Sequence, residues 1–202
     1  MNAEDNDCPV EGCRLRAGGV KATTPPYSET TTRNFMTGNR VLSQFISYSW
    51  IAGGAILSHL MKTPVKDFDI FFRSKNLRDK EVEDLLLAGG KYIKKLRLGH
   101  SVQLGKMKYD LLHLGTTPQE TIEFFDYTVC SIAIDAIGET YKHPNFDEHL
   151  EKRKLVYTGA YDKWFSDMPE TANLNVLKAR RLAAYLKKGF DIDDDNIRAI
   201  FK

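Results

Sequence analysis

The chain has 202 residues, 42% of them hydrophobic, which is enough for one domain with a sizeable core or one domain plus a small appendage. Its 29 basic and 27 acidic residues leave a net charge of +2, a balance that neither demands nor excludes a nucleic-acid partner. No apolar run approaches the ~20 residues that span a bilayer, three cysteines make no disulfide framework, and the acidic N-terminus does not read as a secretory signal. The expectation is a cytoplasmic protein with no membrane part. Cys8 and Cys13 have zinc-knuckle spacing, but no second Cys/His pair follows to complete a tetrahedral site, so free thiols are expected.

In chain order, residues 1–38 read as a flexible N-terminal tail, with Thr- and Pro-rich text ("KATTPPYSETTTRNF") and no hydrophobic period. Beyond Asn39, the residues Val41, Leu42, Phe45 and Ile46 fall at helical spacing. "SYSWIA" predicts a strand that ends at Gly53 and Gly54, and "AILSHLM" a short helix. "DFDIFF" predicts a strand with Phe68 and Ile70 on one side. "LRDKEVEDLLLAGG" predicts an amphipathic helix capped by Asn76 and closed at Gly89. "KYIKKLRL", "HSVQLG" and "KMKYDLLHL" predict three more short strands, with Gly105 at a tight turn. In "TTPQETIEFF", Thr117 is an N-cap, Pro118 takes the first helical position and Glu120 completes a capping box.

The next segment, "DYTVCSIAIDAI", is expected to be helical, "GETYKHPN" to be a loop, and "KLVYTG" to belong to a helix–turn segment. A long helix is predicted over 174–188 and a short one over 194–201. In the long helix Val176, Ala179, Ala183 and Leu186 form the expected core stripe, and Lys178, Arg181 and Lys188, with Tyr185 among them, the opposite one. The fold class is α+β: a head over 39–135 with a mixed, antiparallel-rich sheet and helices, then a small helical neck over 136–202.

Chemistry concentrates at three carboxylates. Asp67 and Asp69 stand two apart on a strand, so both point to the same face. Two like charges that close raise each other's pKa unless a cation lies between them, and oxygen donors at this spacing suit Mg²⁺ or Mn²⁺. Asp110 lies in another short apolar strand, where a lone carboxylate is disfavoured unless it serves a site. If the two strands are neighbours, three carboxylates converge as metal-assisted phosphoryl transfer requires. Gly53 and Gly54 allow close approach of backbone to phosphate, and Ser58 follows on the next helix. The five histidines show no ligand pattern, and His113 falls on the face opposite Asp110 and is read as structural.

The diglycine, the spacer and Asp67-Phe68-Asp69 ("GGAILSHLMKTPVKDFD") resemble the signature of the DNA polymerase β-like nucleotidyltransferase superfamily. The spacing matches the branch of the tRNA CCA-adding enzymes and bacterial poly(A) polymerases. "FDYTVCSIAID", "HPNFDEHLEKRKLVYTG" and "VLKARRLAAYLKKGFDI" are similar to later segments of that branch, so the resemblance covers about residues 45–193. It implies that Asp67, Asp69 and Asp110 bind Mg²⁺ or Mn²⁺, that Gly53, Gly54 and Ser58 hold the triphosphate of an NTP, and that Asp126 contacts its ribose. Lys178 and Arg181 join this set as cations on the neck helix.

The departures are specific. Leu57-Ser58 stands where the branch has Arg-Asp, and Phe125 where it has an Arg before the ribose-contacting Asp. None of the branch's charged base-reading residues occurs at 171–175, so base choice is expected to be different or relaxed. The resemblance ends soon after the neck, so CCA addition is not expected. The implied activity is transfer of an NMP from an NTP to an acceptor hydroxyl with release of pyrophosphate. An RNA 3′ end, tRNA-like, is one acceptor; a protein or small molecule is another. A non-catalytic nucleotide- or RNA-binding module is the reading from a different class.

Overall fold

Seven short strands, most of them with an apolar alternate face, are joined in one sheet in the computed structural model, which describes residues 48–160, 162 and 174–202. In chain order the elements are β1 (Ser49–Ala52), α1 (Gly54–Leu60), β2 (Asp67–Phe72), α2 (Lys75–Leu87), β3 (Lys91–Leu96), β4 (Gly99–Leu104), β5 (Met107–Leu112), α3 (Pro118–Ile122), a 3₁₀ turn (Thr128–Cys130), β6 (Ile132–Asp135), β7 (Thr140–Lys142), α4 (Phe146–Glu151), α5 (Leu174–Leu186) and α6 (Asp194–Ile200). The expected tail over 1–38, the helical stretch at Val41 to Ile46, Cys8 and Cys13, and residues 171–173 lie outside the described residues.

The sheet order is β3-β4-β5-β2-β1-β6-β7. Only β2 and β5 pair in parallel; every other neighbouring pair is antiparallel. This is the mixed, antiparallel-rich α+β sheet that the sequence implies.

The period of two along the strands sorts the sheet into two unlike faces. Ile51, Phe68, Ile70, Phe72, Val102, Tyr109, Leu111, Ile132 and Ile134 belong to the main core, together with Ile56, Leu57 and Leu60 of α1 and Val82 and Leu85 of α2. That core runs on through Phe146, Leu150, Leu155, Tyr185, Phe190 and Ile200, so the later helices share it. On the other face Trp50, Ala52, Phe71 and Ala133 pack with Ile122 of α3 in a smaller cluster. The indole N–H of Trp50 donates to Thr121 Oγ1 at 3.0 Å and ties α3 down over β1. Toward β5 and β4 this second face carries the carboxylates.

Several local expectations change. The segment expected to be helical after Asp126 is a 3₁₀ turn followed by β6, which lies between β1 and β7. Every residue from Ile132 to Ile134 is buried, so no polar alternation marks the strand, and a short run of this kind cannot be told from a buried helix by periodicity. The expected loop after it contains β7, paired with β6. The α2 helix is capped by Ser74, two residues ahead of Asn76, and the Ser74 hydroxyl accepts from Leu77 N. Thr117 does cap α3, and the Glu120 carboxylate accepts chiefly from the backbone N–H and hydroxyl of Thr116, with the Thr117 backbone a lesser donor.

The α5 helix is rotated from expectation. Lys178 and Tyr185 are its buried residues, whereas Val176 and Leu186, expected in the core, are 41% and 44% exposed.

Candidate active site

The strand ladder fixes the carboxylates. In the parallel β2–β5 pair, Asp69 lies opposite Asp110 and Asp67 opposite Lys108. Ser101 of β4 lies opposite Asp110, and Ala52 of β1 opposite Asp69. Ser101, Asp110, Asp69 and Ala52 therefore form one row across four adjacent strands, each about 4.8 Å from the next. Asp67 stands two residues from Asp69 and on the same face. The three carboxylates predicted from the sequence share one face and one corner of the sheet.

Electrostatics there is unfavourable to an unpartnered cluster. The Asp69 carboxyl is pushed up from 3.8 to about 7, first by burial and then by the charges of Asp67 and Asp110, against the opposing pull of Arg181 and Lys108. The Lys108 ammonium reaches between the strands: Nζ donates to Asp110 Oδ2 at 2.7 Å and to Asp67 Oδ2 at 3.3 Å. Burial works against that ammonium, but its bonds to Asp110 and the two nearby carboxylates outweigh it and hold the proton more firmly than in an ordinary lysine.

Asp110 Oδ1 is buried with no hydrogen-bond partner, as is the Ser101 hydroxyl oxygen beside it. Among the described residues, no three Asp, Glu, His or Cys side chains stand arranged to hold a metal ion. The donor chemistry nevertheless fits a hard divalent cation: three carboxylates, no nitrogen or sulfur ligand, and one buried oxygen lacking a donor.

The diglycine turn borders this row. Gly53 follows Ala52, and its backbone N–H donates to Ile132 O at 2.9 Å. Its φ of +78° favours glycine, and a Cβ there would come within 2.6 Å of the Phe125 ring. That ring packs edge-on against Phe71, so it has little room to withdraw. Gly53→Ala should cost about 2–4 kcal/mol of stability, measured by urea denaturation. Gly54, by contrast, has open space where its Cβ would be. Ser58 is buried on the second turn of α1, and its carbonyl accepts from Thr63.

The remaining predicted residues are engaged within the fold. Asp126 is 3% exposed, and both of its oxygens accept from the Arg181 guanidinium, Oδ1 from Nη2 at 2.7 Å and Oδ2 from Nε. Arg181 lies close enough for its charge to act on Asp69, so this pair adjoins the carboxylate corner. Lys178 is buried, donates to Ile200 O at 2.6 Å, and pairs with Asp162. The structure thus brings Asp67, Asp69 and Asp110 together, sets Gly53 and Gly54 at the end of the adjoining strand, and commits Asp126, Arg181 and Lys178 to internal ion pairs. His113 Nδ1 lies 2.9 Å from Phe72 O, a contact between strand ends.

Lys108 and Ser101 were not foreseen. Parity would have put Lys108 on the face of Asp110, two residues away; Ser101 required the register of β4 on β5.

A family profile described as Gabija anti-defense 2 family protein matches residues 28–153. Comparison with curated proteins gives no match. Among solved structures, a CCA-adding enzyme in complex with CTP superposes with a TM-score of 0.60 at 13% identity, over 84% of this chain and 44% of that one. The Thermotoga maritima CCA-adding enzyme complexed with tRNA gives 0.55 at 15% identity, over 85% and 40%. The Bacillus stearothermophilus CCA-adding enzyme in complex with CTP gives 0.53 at 20% identity, over 88% and 43%. The fold is shared with part of these CCA-adding enzymes, and the chain spans less than half of their length.

Proposed function

The chain belongs to the Gabija anti-defense 2 family, and on that premise we propose that it is a metal-dependent nucleotidyltransferase that moves an NMP to an acceptor hydroxyl, on an RNA 3′ end or on a component of the Gabija defence system. The observation that carries this reading is the row formed by Asp69 and Asp110 on parallel neighbouring strands, with Asp67 on the same face and Asp110 Oδ1 buried without a donor. The polymerase β-like fold supports it, since solved neighbours include enzymes in complex with CTP and with tRNA.

Asp67, Asp69 and Asp110 would hold Mg²⁺ or Mn²⁺, which when bound supplies a Lewis acid for the acceptor hydroxyl and the NTP phosphates. The acceptor hydroxyl gives up its proton to solvent as its oxygen forms a bond to the α-phosphorus, the bond from the α-phosphorus to the bridging oxygen breaks, and pyrophosphate leaves. The Gly53-Gly54 turn lets backbone approach the triphosphate where a side chain at Gly54 would intervene. Phe125, in the position of a resembled arginine, offers no cation to the phosphates. Without charged base-reading residues at 171–175, base preference is different or relaxed.

A second reading has its own observation. Asp126 and Lys178, expected at the nucleotide, are buried in ion pairs, which suits a module that binds nucleotide or RNA without transferring it. The test is incubation of the purified protein with each α-labelled NTP and Mg²⁺ in lysate. Chelator-sensitive incorporation of label is expected. RNase sensitivity of the product identifies an RNA 3′ end, protease sensitivity a protein hydroxyl, and a low-mass product a small molecule. Nucleotide binding by calorimetry with no labelled product from any of the NTPs would favour the non-catalytic module.

A further inference from the structure

We propose that Lys108 is a resident counter-cation: in the metal-free protein its ammonium neutralises Asp67 and Asp110, and a divalent ion must displace it to bind. This rests on the assignment of the three carboxylates as the metal-binding set.

The sheet itself places the lysine. Lys108 pairs with Asp67 across the β2–β5 ladder and stands two residues before Asp110 on the same strand, so all three side chains leave one face at neighbouring positions. Its Nζ bridges Asp110 Oδ2 at 2.7 Å and Asp67 Oδ2 at 3.3 Å. The position does not depend on a flexible loop. Asp110 is the more enclosed partner, its side chain 14% exposed against 50% for Asp67, so the bond to Asp110 is the less screened of the two.

A bound Mg²⁺ lies about 2.1 Å from each ligand oxygen. An ammonium hydrogen-bonded to Asp110 Oδ2 and Asp67 Oδ2 engages oxygens that a divalent ion would need, and a second cation brought to them would be repelled in a half-buried site. The lysine and the metal therefore compete for the same two oxygens. Asp110 Oδ1, buried and without a donor, is the atom the lysine leaves unsatisfied. A lysine placed only to steady a strand pair would have no such rivalry with a divalent ion.

The test is calorimetric titration of chelator-treated protein with Mn²⁺ alone. Lys108→Gln should bind Mn²⁺ about tenfold more tightly than the unaltered chain, with a lower melting temperature before metal is added. Lys108→Arg keeps the charge and should restore the original affinity. Asp110→Asn should lose binding. In the unaltered chain, Mg²⁺ should shift the Lys108 side-chain ammonium NMR signal, assigned by its disappearance in Lys108→Arg, so the inference is tested even if Lys108→Gln does not fold.

Equal Mn²⁺ affinity in the unaltered chain and Lys108→Gln, with binding lost in Asp110→Asn, overturns the lysine's role and leaves the metal assignment standing. An ammonium signal that ignores saturating Mg²⁺ overturns it likewise. Absence of Mn²⁺ binding in both the unaltered chain and Lys108→Gln removes the metal assignment and the lysine's role together.

Discussion

Asp69→Asn should lower nucleotide transfer by about three orders of magnitude or more while leaving the fold in place. Asp69 is the middle carboxylate of the corner, with Asp110 across the ladder and Asp67 two residues before it. An amide keeps the shape and removes the charge, so the loss falls on cation binding. Release of pyrophosphate, followed with excess Mg²⁺, measures it; turnover at the unaltered rate would rule out the proposed chemistry.

The same variant carries a stability signature of opposite sign. In metal-free protein the Asp69 carboxyl is raised to about 7 by burial and by its acidic neighbours. Between the unfolded value near 3.8 and that raised value, the folded state binds more protons than the unfolded one. Stability therefore falls as pH rises through this window and is level, as far as this group is concerned, on either side. Asp69→Asn should remove that slope. Its melting temperature relative to the unaltered chain should rise steadily from pH 4 to pH 7, read by thermal denaturation with chelator present.

The second large effect concerns the attachment of α5. Arg181→Met should destabilise the protein by about 3 kcal/mol, measured by urea denaturation. The variant keeps much of the side-chain volume but strands Asp126, which is 3% exposed and has both oxygens directed at the guanidinium. The figure is at the low end for a broken buried ion pair because the Arg181 side chain is itself 40% exposed. Adding Asp126→Asn to Arg181→Met should recover part of the loss, since the stranded charge is then gone. A loss below about 1 kcal/mol would show that the pair behaves as a surface ion pair and does not fasten the helix.

What was legible in the sequence follows the range of the physics. The shared face of Asp67 and Asp69 needs only the period of a strand, which is local. The meeting of Asp69 with Asp110 needs the parallel pairing of β2 with β5 across two intervening strands and a helix, and no local pattern states that register. β6 was hidden because both of its faces are covered, which erases the alternation that marks an exposed strand.

The rotation of α5 has the plainest cause. The sequence puts Lys178 and Arg181 on the stripe opposite the core, but they turn to Ile200 O, Asp162 and Asp126, contributed from elsewhere in the chain. Partners contributed by another part of the chain outweigh the composition of a stripe. Phe125 is a similar case: its departure from the resembled pattern reads as a missing contact, and the structure finds the ring filling the space beside Gly53.

Among the described residues, β3 pairs through one flank with β4 and stands at one end of the strand order. Lys91, Lys94 and Lys95 are all exposed along it. A second molecule offering its own β3 would bring the same three positive charges to the same line, and strand-to-strand growth of the sheet would be refused at that border. The resistance belongs to dilute buffer; concentrated salt would weaken it, and light scattering across a salt series would register that border giving way.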